Sequence, residues 1–200
     1  MQVDFYFSID SRYSYLAATQ IPSIEAEFGV TIGWKQLQFA ALMAARGDDP
    51  FAENRRAGQY VEAYRNTDVH RWANYYKVPM VAPDWAADWQ RIALAAVASV
   101  RFDCGQAFCF ALYAAIMQDQ TTPKSDADLV RIAEKAGLDG TGLVAAIDDP
   151  KTAELHQQHI DDAKALGIFG VPTFAVGTEI FWGNDRLVLL RHRLRTRVLL

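Results

Sequence analysis

The chain has 200 residues, of which 51% are hydrophobic and 22% are charged, so it can bury a substantial core and is not expected to be disordered. Its formal net charge of −4 disfavours a polyanionic partner such as nucleic acid. The first eight residues lack the basic and apolar regions of a secretion signal, and the longest nearly apolar run, 92–100, is shorter than the about 20 residues of a membrane span. We therefore expect a cytoplasmic protein without a membrane segment.

The first forty residues predict a strand, a helix and a second strand. Val3, Phe5 and Phe7 would lie on one face and Asp4, Tyr6 and Ser8 on the other, which predicts a first strand. Residues 13–28 follow a helical pattern, with Pro22 expected to kink the helix and Gly29 expected to end it. A second strand is predicted at 30–37. A strand, a helix and a second strand in so short a span require a parallel crossover connection, so the predicted fold class is α/β.

The middle of the chain predicts helices alone. Residues 40–148 are rich in alanine and contain no further convincing strand. Ser125 followed three residues later by Asp128 predicts a capping box, and the helix that it opens is expected to end near Gly137.

The last fifty residues return to an α/β pattern. A helix over 151–166 is expected to stop at Gly167, and two short strands and a last helix follow it. Because the first two strands would be marginal alone, they need the last two to complete a sheet. We therefore predict one α/β domain formed by 1–39 and 150–200, interrupted by a helical insertion over 40–149.

Most titratable groups have ordinary structural explanations. Cys104 and Cys109 are five residues apart, which is neither a redox nor a metal-ligand spacing, so they are expected to be reduced and buried. His156 and His159 lie on a polar helix, where exposed polarity is favoured over a metal site, and no metal is expected. The last helix is expected to dock through leucines and to present to solvent its arginines, Arg186, Arg191, Arg193, Arg195 and Arg197.

The stretch Ser11-Arg12-Tyr13-Ser14 lies where the first strand gives way to a helix and has the spacing of a redox CxxC motif without its sulfur. A disulfide mechanism is therefore excluded, and no elbow motif or partner base indicates a serine hydrolase. Two interpretations of Ser11 remain. It is either only the N-cap of the helix, or a hydroxyl that donates a hydrogen bond to a bound anion.

Two motifs near the end of the chain suggest ligand contacts. A cis bond between Val171 and Pro172 would leave the N–H and C=O of Val171 able to pair with a peptide-like ligand, although such a motif is more often a simple turn than a binding site. Gly183 permits a close turn before Asn184 and Asp185 at the start of the last helix. Backbone amides there would hold a carboxylate and Asp185 an ammonium, as in an amino-acid zwitterion, or the two residues only cap the helix.

The motifs together resemble a known family. The stretches DFYFSIDSRYSYLA, RWANYYKVPMVAP, GIFGVPTFAVG and FWGNDRL are similar to those of 2-hydroxychromene-2-carboxylate isomerases. These are relatives of kappa-class glutathione transferases in the DsbA-like thioredoxin superfamily. The resemblance covers nearly the whole chain and implies a thioredoxin fold with a helical insertion, a glutathione site and a homodimer.

The resemblance also implies roles for individual residues. Ser11 matches the catalytic serine, which would hydrogen-bond the sulfur of glutathione and favour its thiolate. Val171 and Pro172 match the loop that pairs with the glutathione backbone. The segment that holds the other end of glutathione is matched by Trp182, Gly183, Asn184 and Asp185. Ser8 and Arg12 depart from the common Asp and Pro, and Arg12 would either add positive charge near the thiolate or point to solvent.

The substrate side is matched by Asn54 and Arg55, of which Arg55 would hold a carboxylate, and by Trp85. An exposed polar loop is the alternative explanation for Asn54 and Arg55. Met43 stands where isomerases of naphthalene degradation have a substrate-binding lysine, so recognition of the same substrate is in question.

Three hypotheses follow. The first is a glutathione-dependent cis–trans isomerase of an aromatic or otherwise conjugated 2-oxo acid, which acts in aromatic catabolism. The second is a kappa-like glutathione transferase or peroxidase that uses the same thiolate on an electrophile. The third is a non-catalytic DsbA-like binding module. Ser11 and the FWGND stretch favour the first two.

Overall fold

The computed structural model describes residues 2–47 and 61–196. Its sheet contains four strands, β1 (Val3–Phe7), β2 (Ile32–Gln36), β3 (Thr173–Val176) and β4 (Glu179–Trp182), in the order β2-β1-β3-β4. β1 and β2 are parallel, and β3 runs antiparallel to both β1 and β4. The predicted α/β class is confirmed, and the last two strands complete the sheet as expected.

The helices cover both faces and the middle of the sequence. They are α1 (Arg12–Ala18), α2 (Ile21–Phe28), α3 (Phe39–Arg46), α4 (Glu62–Tyr76), α5 (Trp89–Val100), α6 (Gly105–Tyr113), α7 (Asp126–Lys135), α8 (Gly140–Ala145), α9 (Pro150–Ala165) and α10 (Leu187–Thr196). A π-helical turn, Ala114–Gln118, extends α6. No helix within the described ranges combines the length and apolarity needed to cross a bilayer.

The prediction of one kinked helix over 13–28 is wrong, because the chain forms two helices separated at Thr19 and Gln20. Pro22 does not bend a continuous helix; it occupies the first turn of α2, where its missing N–H has no intrahelical partner to lose. Gly29 ends α2 in the left-handed conformation with φ of 62°, as predicted.

Both faces of the sheet are buried. Phe5 and Phe7 point to one face, where Phe5 stacks on Phe174 with ring centroids 4.7 Å apart and meets Trp34 edge-on. Tyr6 points to the other face, into a smaller apolar cluster formed with residues of α3 and α9. Each fully buried large side chain contributes about 1.5–3 kcal/mol, so this double coverage fixes the position of β1.

The last helix is less exposed than predicted. Leucines dock it as expected, namely Leu187, Leu190 and Leu194. However, Arg193 is only 5% exposed and pairs with Glu179 of β4 at 2.6 Å. Arg191 and Arg195 both pair with Glu27 of α2. The arginines of this helix therefore join it to the sheet and to α2, while Arg197 lies outside the described residues.

The two cysteines fit the prediction of reduced, packed side chains. Cys104 precedes α6 and is partly buried, Cys109 is fully buried within it, and both are free thiols. Burial raises the pKa of the Cys109 thiol, which keeps it protonated and unreactive.

The histidines of α9 contradict the expectation of an exposed polar helix. His156 is 9% exposed and His159 is 1% exposed. Nδ1 of His159 lies 3.2 Å from the carbonyl oxygen of Gln36, at the end of β2. Among the described residues, Nε2 of neither histidine has a hydrogen-bond partner, and no cluster of three metal-ligating side chains is found. Although the sequence of α9 is polar, one face of the helix is buried against the rest of the protein.

The buried His159 predicts a loss of stability in mild acid. Burial, with smaller effects from Lys35 and His156, lowers its pKa from 6.5 to about 4. The unfolded chain therefore binds more protons than the folded one between these values, so the free energy of unfolding falls as the pH drops from about 6.5 to about 4, by up to about 3 kcal/mol. Chemical denaturation across this range will show the slope.

The variant His159→Gln should flatten the pH dependence, whereas His70→Gln, at an exposed position of α4, should leave it unchanged. An equal slope in the wild type and in His159→Gln would refute this origin of the acid sensitivity.

Candidate functional site

Strand pairing brings the three sequence motifs to one end of the sheet. Tyr6 of β1 pairs with Thr173 of β3, and Thr173 pairs with Trp182 of β4. The loop after β1, the residues before β3 and the residues after β4 therefore emerge together. The backbone N–H of Gly183 donates a hydrogen bond of 2.8 Å to the carbonyl of Pro172, which joins two of the motifs directly.

Ser11 is the N-cap of α1. Its backbone is extended, with φ of −83° and ψ of 116°, and its Oγ accepts a hydrogen bond from the N–H of Ser14 at 3.2 Å. The capping interpretation is thus confirmed. The cap uses Oγ only as an acceptor, and the Ser11 O–H finds no acceptor among residues 2–47 and 61–196. Capping and donation to a bound anion are therefore compatible roles of one hydroxyl.

The loop that leads to Ser11 is held by buried partners. The N–H of Ser8 donates to Oγ of Ser14 at 3.3 Å, and the Tyr113 hydroxyl donates to the carbonyl of Ser8 at 3.3 Å. The N–H of Ile9 donates to Oε1 of Gln36 at 3.1 Å. Burial raises the pKa of Tyr113, so its phenol stays a neutral donor. These contacts fix the loop without using the hydroxyl of Ser11.

Arg12 lies beside Ser11 and is half-buried. Its Cζ is 5.9 Å from the ring centroid of Trp85, whose side chain is 58% exposed. Burial, and then the nearby charge of Arg65, lower the pKa of Arg12. Arg12 therefore does not simply extend into solvent, which was one of its two expected placements.

Tyr13 connects α1 to α4. Its hydroxyl donates to Oδ2 of Asp68 at 2.9 Å, and Cζ of Arg65 lies 5.6 Å from the centre of its ring. Burial and the bond to Asp68 raise the pKa of Tyr13 to about 12. The sequence did not indicate that Arg65 and Asp68 contact Tyr13. Both lie in a polar helix, and the pattern of a helix does not reveal which element packs against it.

The loop before β3 has the predicted form. The peptide bond between Val171 and Pro172 is cis. The Thr173 hydroxyl donates to the carbonyl of Gly170 at 2.7 Å, which ties the loop to its own strand. Within the described part of the chain, neither the N–H nor the C=O of Val171 makes a hydrogen bond. Both groups of this half-buried residue are thus able to pair with an extended peptide.

The segment after β4 turns sharply at Gly183, whose φ of 108° disfavours any residue with a side chain. Asn184 is 4% exposed, and its Nδ2 has no partner among the described residues. Its carbonyl accepts a hydrogen bond of 3.0 Å from the Tyr76 hydroxyl of α4. Tyr76 lies within the family-like stretch RWANYYKVPMVAP, but only the fold reveals this support.

Asp185 does not begin the last helix as expected. A 3-10 turn, Asn184–Arg186, comes first, and α10 begins at Leu187. The Asp185 carboxylate is exposed and pairs with the adjacent Arg186. It is therefore accessible to a ligand, with one competing cation already beside it.

The predicted substrate residues have different surroundings. Met43 is 8% exposed within the smaller apolar cluster, against which Val171 also packs. Trp85 is exposed beside Arg12. Asn54 and Arg55 lie outside the described residues.

The unpaired groups fit glutathione, a thiol tripeptide. The Ser11 O–H suits a sulfur anion, the N–H and C=O of Val171 suit an extended peptide, and Nδ2 of Asn184 suits a carbonyl or carboxylate oxygen. An unpaired buried amide costs about 1–3 kcal/mol, which a ligand at this place would recover.

Comparison with known proteins finds relatives along nearly the whole chain. Residues 2–195 match the family model of the DSBA-like thioredoxin domain. A 2-hydroxychromene-2-carboxylate isomerase of Sphingobium xenophagum is 32% identical over 190 residues, covering 94% of this chain and 95% of that protein. Glutathione S-transferase kappa 1 of Caenorhabditis elegans is 22% identical, covering 94% of this chain and 88% of that protein.

The solved structure of a 2-hydroxychromene-2-carboxylate isomerase superposes with a TM-score of 0.82 at 26% identity, covering 98% of this chain and 96% of that chain. The thioredoxin-like fold with added helices is thereby confirmed, and the hypothesis of a non-catalytic binding module loses its support. The chain belongs to the DsbA-like thioredoxin family and, within it, to the isomerase enzymes represented by the 2-hydroxychromene-2-carboxylate isomerases.

Proposed function

We propose that the protein is a glutathione-dependent isomerase that interconverts the cis and trans forms of an aromatic or otherwise conjugated 2-oxo acid. The observation that carries this proposal is the convergence of Ser11, Val171 and Asn184 at one end of the sheet, each with a polar group that makes no hydrogen bond to another described residue. The names of the isomerase relatives supply the reaction, and the kappa-class relative supports glutathione.

When bound, glutathione would supply a nucleophilic thiolate for reversible addition to the conjugated double bond, so that the bond could rotate before elimination returned the thiolate. Ser11 acts on the sulfur by donating its hydroxyl hydrogen, which favours the thiolate over the thiol. A free thiol has a pKa near about 8.5, and each unit by which it falls corresponds to about 1.4 kcal/mol. A fall of about two units leaves the sulfur mostly ionised at neutral pH.

Other residues position the tripeptide. Val171 pairs through its N–H and C=O with the glutathione backbone, in the manner of an added strand. Trp182, Gly183, Asn184 and Asp185 hold the γ-glutamyl end, where backbone amides receive the carboxylate and Asp185 receives the ammonium. Tyr76 supports this segment through its bond to the carbonyl of Asn184.

The substrate contacts are proposed for Met43, Trp85, Asn54 and Arg55. Met43 is nearly buried and carries no charge, so this enzyme would prefer a substrate that differs from that of the lysine-containing isomerases. Trp85 offers an exposed ring for an aromatic substrate.

A kappa-like transferase is the second candidate, supported by the kappa-class relative. It differs in its products, because a transferase consumes glutathione whereas the isomerase returns it. Chromatographic measurement of glutathione before and after turnover separates the two functions.

We also propose that the enzyme is a cytoplasmic homodimer. Its thioredoxin-like domain would comprise 1–39 and 150–200, and its helical insertion 40–149. Light scattering of the purified protein tests the dimer.

Replacement of Ser11 by alanine should weaken the ionisation of glutathione. The variant Ser11→Ala is expected to lose about tenfold or more in the fraction of bound thiolate near neutral pH, because the donor to sulfur is gone. Calorimetric titration with glutathione, read together with the ultraviolet absorbance of the thiolate, measures both binding and ionisation.

The matched control is Ser125→Ala, since Oγ of Ser125 also accepts from the third amide of its helix but lies at α7. Both variants should lose about 1 kcal/mol of stability with their caps, and only Ser11→Ala should lose thiolate. Absence of glutathione binding by the wild type would reject glutathione dependence, and thiolate retained in Ser11→Ala would reject the role of Ser11.

The Asp185 carboxylate should recognise the free amino group of glutathione. Wild type is expected to bind glutathione about tenfold more tightly than N-acetylglutathione, and Asp185→Asn should remove that preference. Calorimetric titration of both proteins with both peptides measures how strongly the amino group of glutathione depends on the Asp185 carboxylate. Discrimination that persists in Asp185→Asn would place the ammonium elsewhere.

A further inference from the structure

Two arginines lie close together beside Ser11. Arg12 is the next residue along α1, and Arg65 of α4 lies over the ring of Tyr13, the residue after Arg12. Among the described residues, no carboxylate oxygen lies within 4.0 Å of a side-chain nitrogen of either arginine. The helix pair α1 and α4 thus brings two positive charges together without an ion pair.

This arrangement contrasts with that of three other arginines among the described residues. Arg91, Arg101 and Arg193 each pair with a carboxylate at 2.8 Å or less. Asp68 is already engaged, because it accepts the hydrogen bond of the Tyr13 hydroxyl at 2.9 Å. Glu62, an exposed residue of α4, offsets only part of the lowering that burial and the charge of Arg65 cause in the pKa of Arg12. A half-buried pair of cations that makes no ion pair is unfavourable on its own, and an anion bound between them would reduce the repulsion.

The surroundings of Arg12 support a planar ligand. Its guanidinium lies 5.9 Å from the centre of the Trp85 ring, and that ring remains 58% exposed. The burial and the charge of Arg65 that depress the pKa of Arg12 are also the conditions that strengthen its attraction to an anion. A cation and an exposed aromatic face thus lie side by side next to the serine.

We infer that Arg12 and Arg65 bind the carboxylate of the substrate while Trp85 packs against its aromatic ring. The inference rests on the proposed isomerase function for its substrate class. It keeps Trp85 as a substrate contact and assigns the recognition of the substrate carboxylate to two arginines outside the family-like positions. Consecutive Cα atoms are about 3.8 Å apart, so Ser11 and Arg12 reach two ends of one small molecule. The Ser11 hydroxyl would donate to the sulfur near the double bond. The two guanidinium groups would bind the carboxylate of the substrate.

A pair of probes that differ only in charge tests the clamp. The probes are benzylidenepyruvate and its uncharged amide, titrated calorimetrically without glutathione, so that binding is measured independently of turnover. Wild type should prefer the acid. Arg12→Gln and Arg65→Gln should each weaken binding of the acid about tenfold or more and leave the amide unchanged. Arg71→Gln removes the same charge from an exposed position of α4 and should change neither.

The conservative variant Arg12→Lys keeps the charge and should retain part of the preference for the acid over the amide. If Arg12→Gln does not fold, Arg12→Lys and Arg65→Gln together test the inference. Wild-type protein that binds neither probe, or binds both equally, would overturn the inference. So would equal losses on both probes in Arg12→Gln, or loss of the preference in Arg55→Gln alone.

Glutathione also carries carboxylates, which the two arginines could bind in place of the substrate carboxylate. Titration of the same proteins with glutathione distinguishes the two ligands. Glutathione affinity that falls in Arg12→Gln while the acid probe binds as before would assign the arginines to glutathione and overturn the substrate clamp. A preference for the acid in a protein that does not bind glutathione would uphold the clamp and reject the proposed function.

Discussion

The position of β3 between β1 and β4 is the constraint on which the site depends. Ser11 is far along the chain from Val171 and Asn184, and the three come to one end of the sheet because Thr173 pairs with Tyr6 on one side and Trp182 on the other. Burial of both faces of β1 holds this register, since a slip by one residue would turn its aromatic side chains to the wrong face. The candidate site therefore forms only when β3 and β4, which lie near the end of the sequence, have completed the sheet.

Local patterns predicted much of this fold. The alternation in β1, the left-handed Gly29 and the serine cap at Ser125 each depend on neighbours a few residues away, and all three are confirmed. The errors concern tertiary burial. His159 and Arg193 are polar residues in polar helices, and each is buried because a partner from a distant segment, the Gln36 carbonyl or Glu179, meets it.

The candidate site divides in the same way. Ser11, Val171 and Asn184 were identified from motifs, whereas the supports provided by Tyr76, Tyr113 and Arg65 were not. These supporting residues come from helices of the middle region, where sequence spacing indicates a helix but not the surface on which it packs. The proximity of Arg65 to Arg12 in particular depends on how α4 crosses α1, and no pattern in either helix reveals that crossing.

The cap at Ser11 has an entropic consequence for whatever binds there. Its Oγ is already held by the amide of Ser14, so the side-chain rotamer is set before a ligand arrives. Only rotation about the C–O bond of the hydroxyl remains to be frozen. Preorganisation of this kind reduces the conformational cost of association, and it explains how a small, flexible side chain can act as a directed donor.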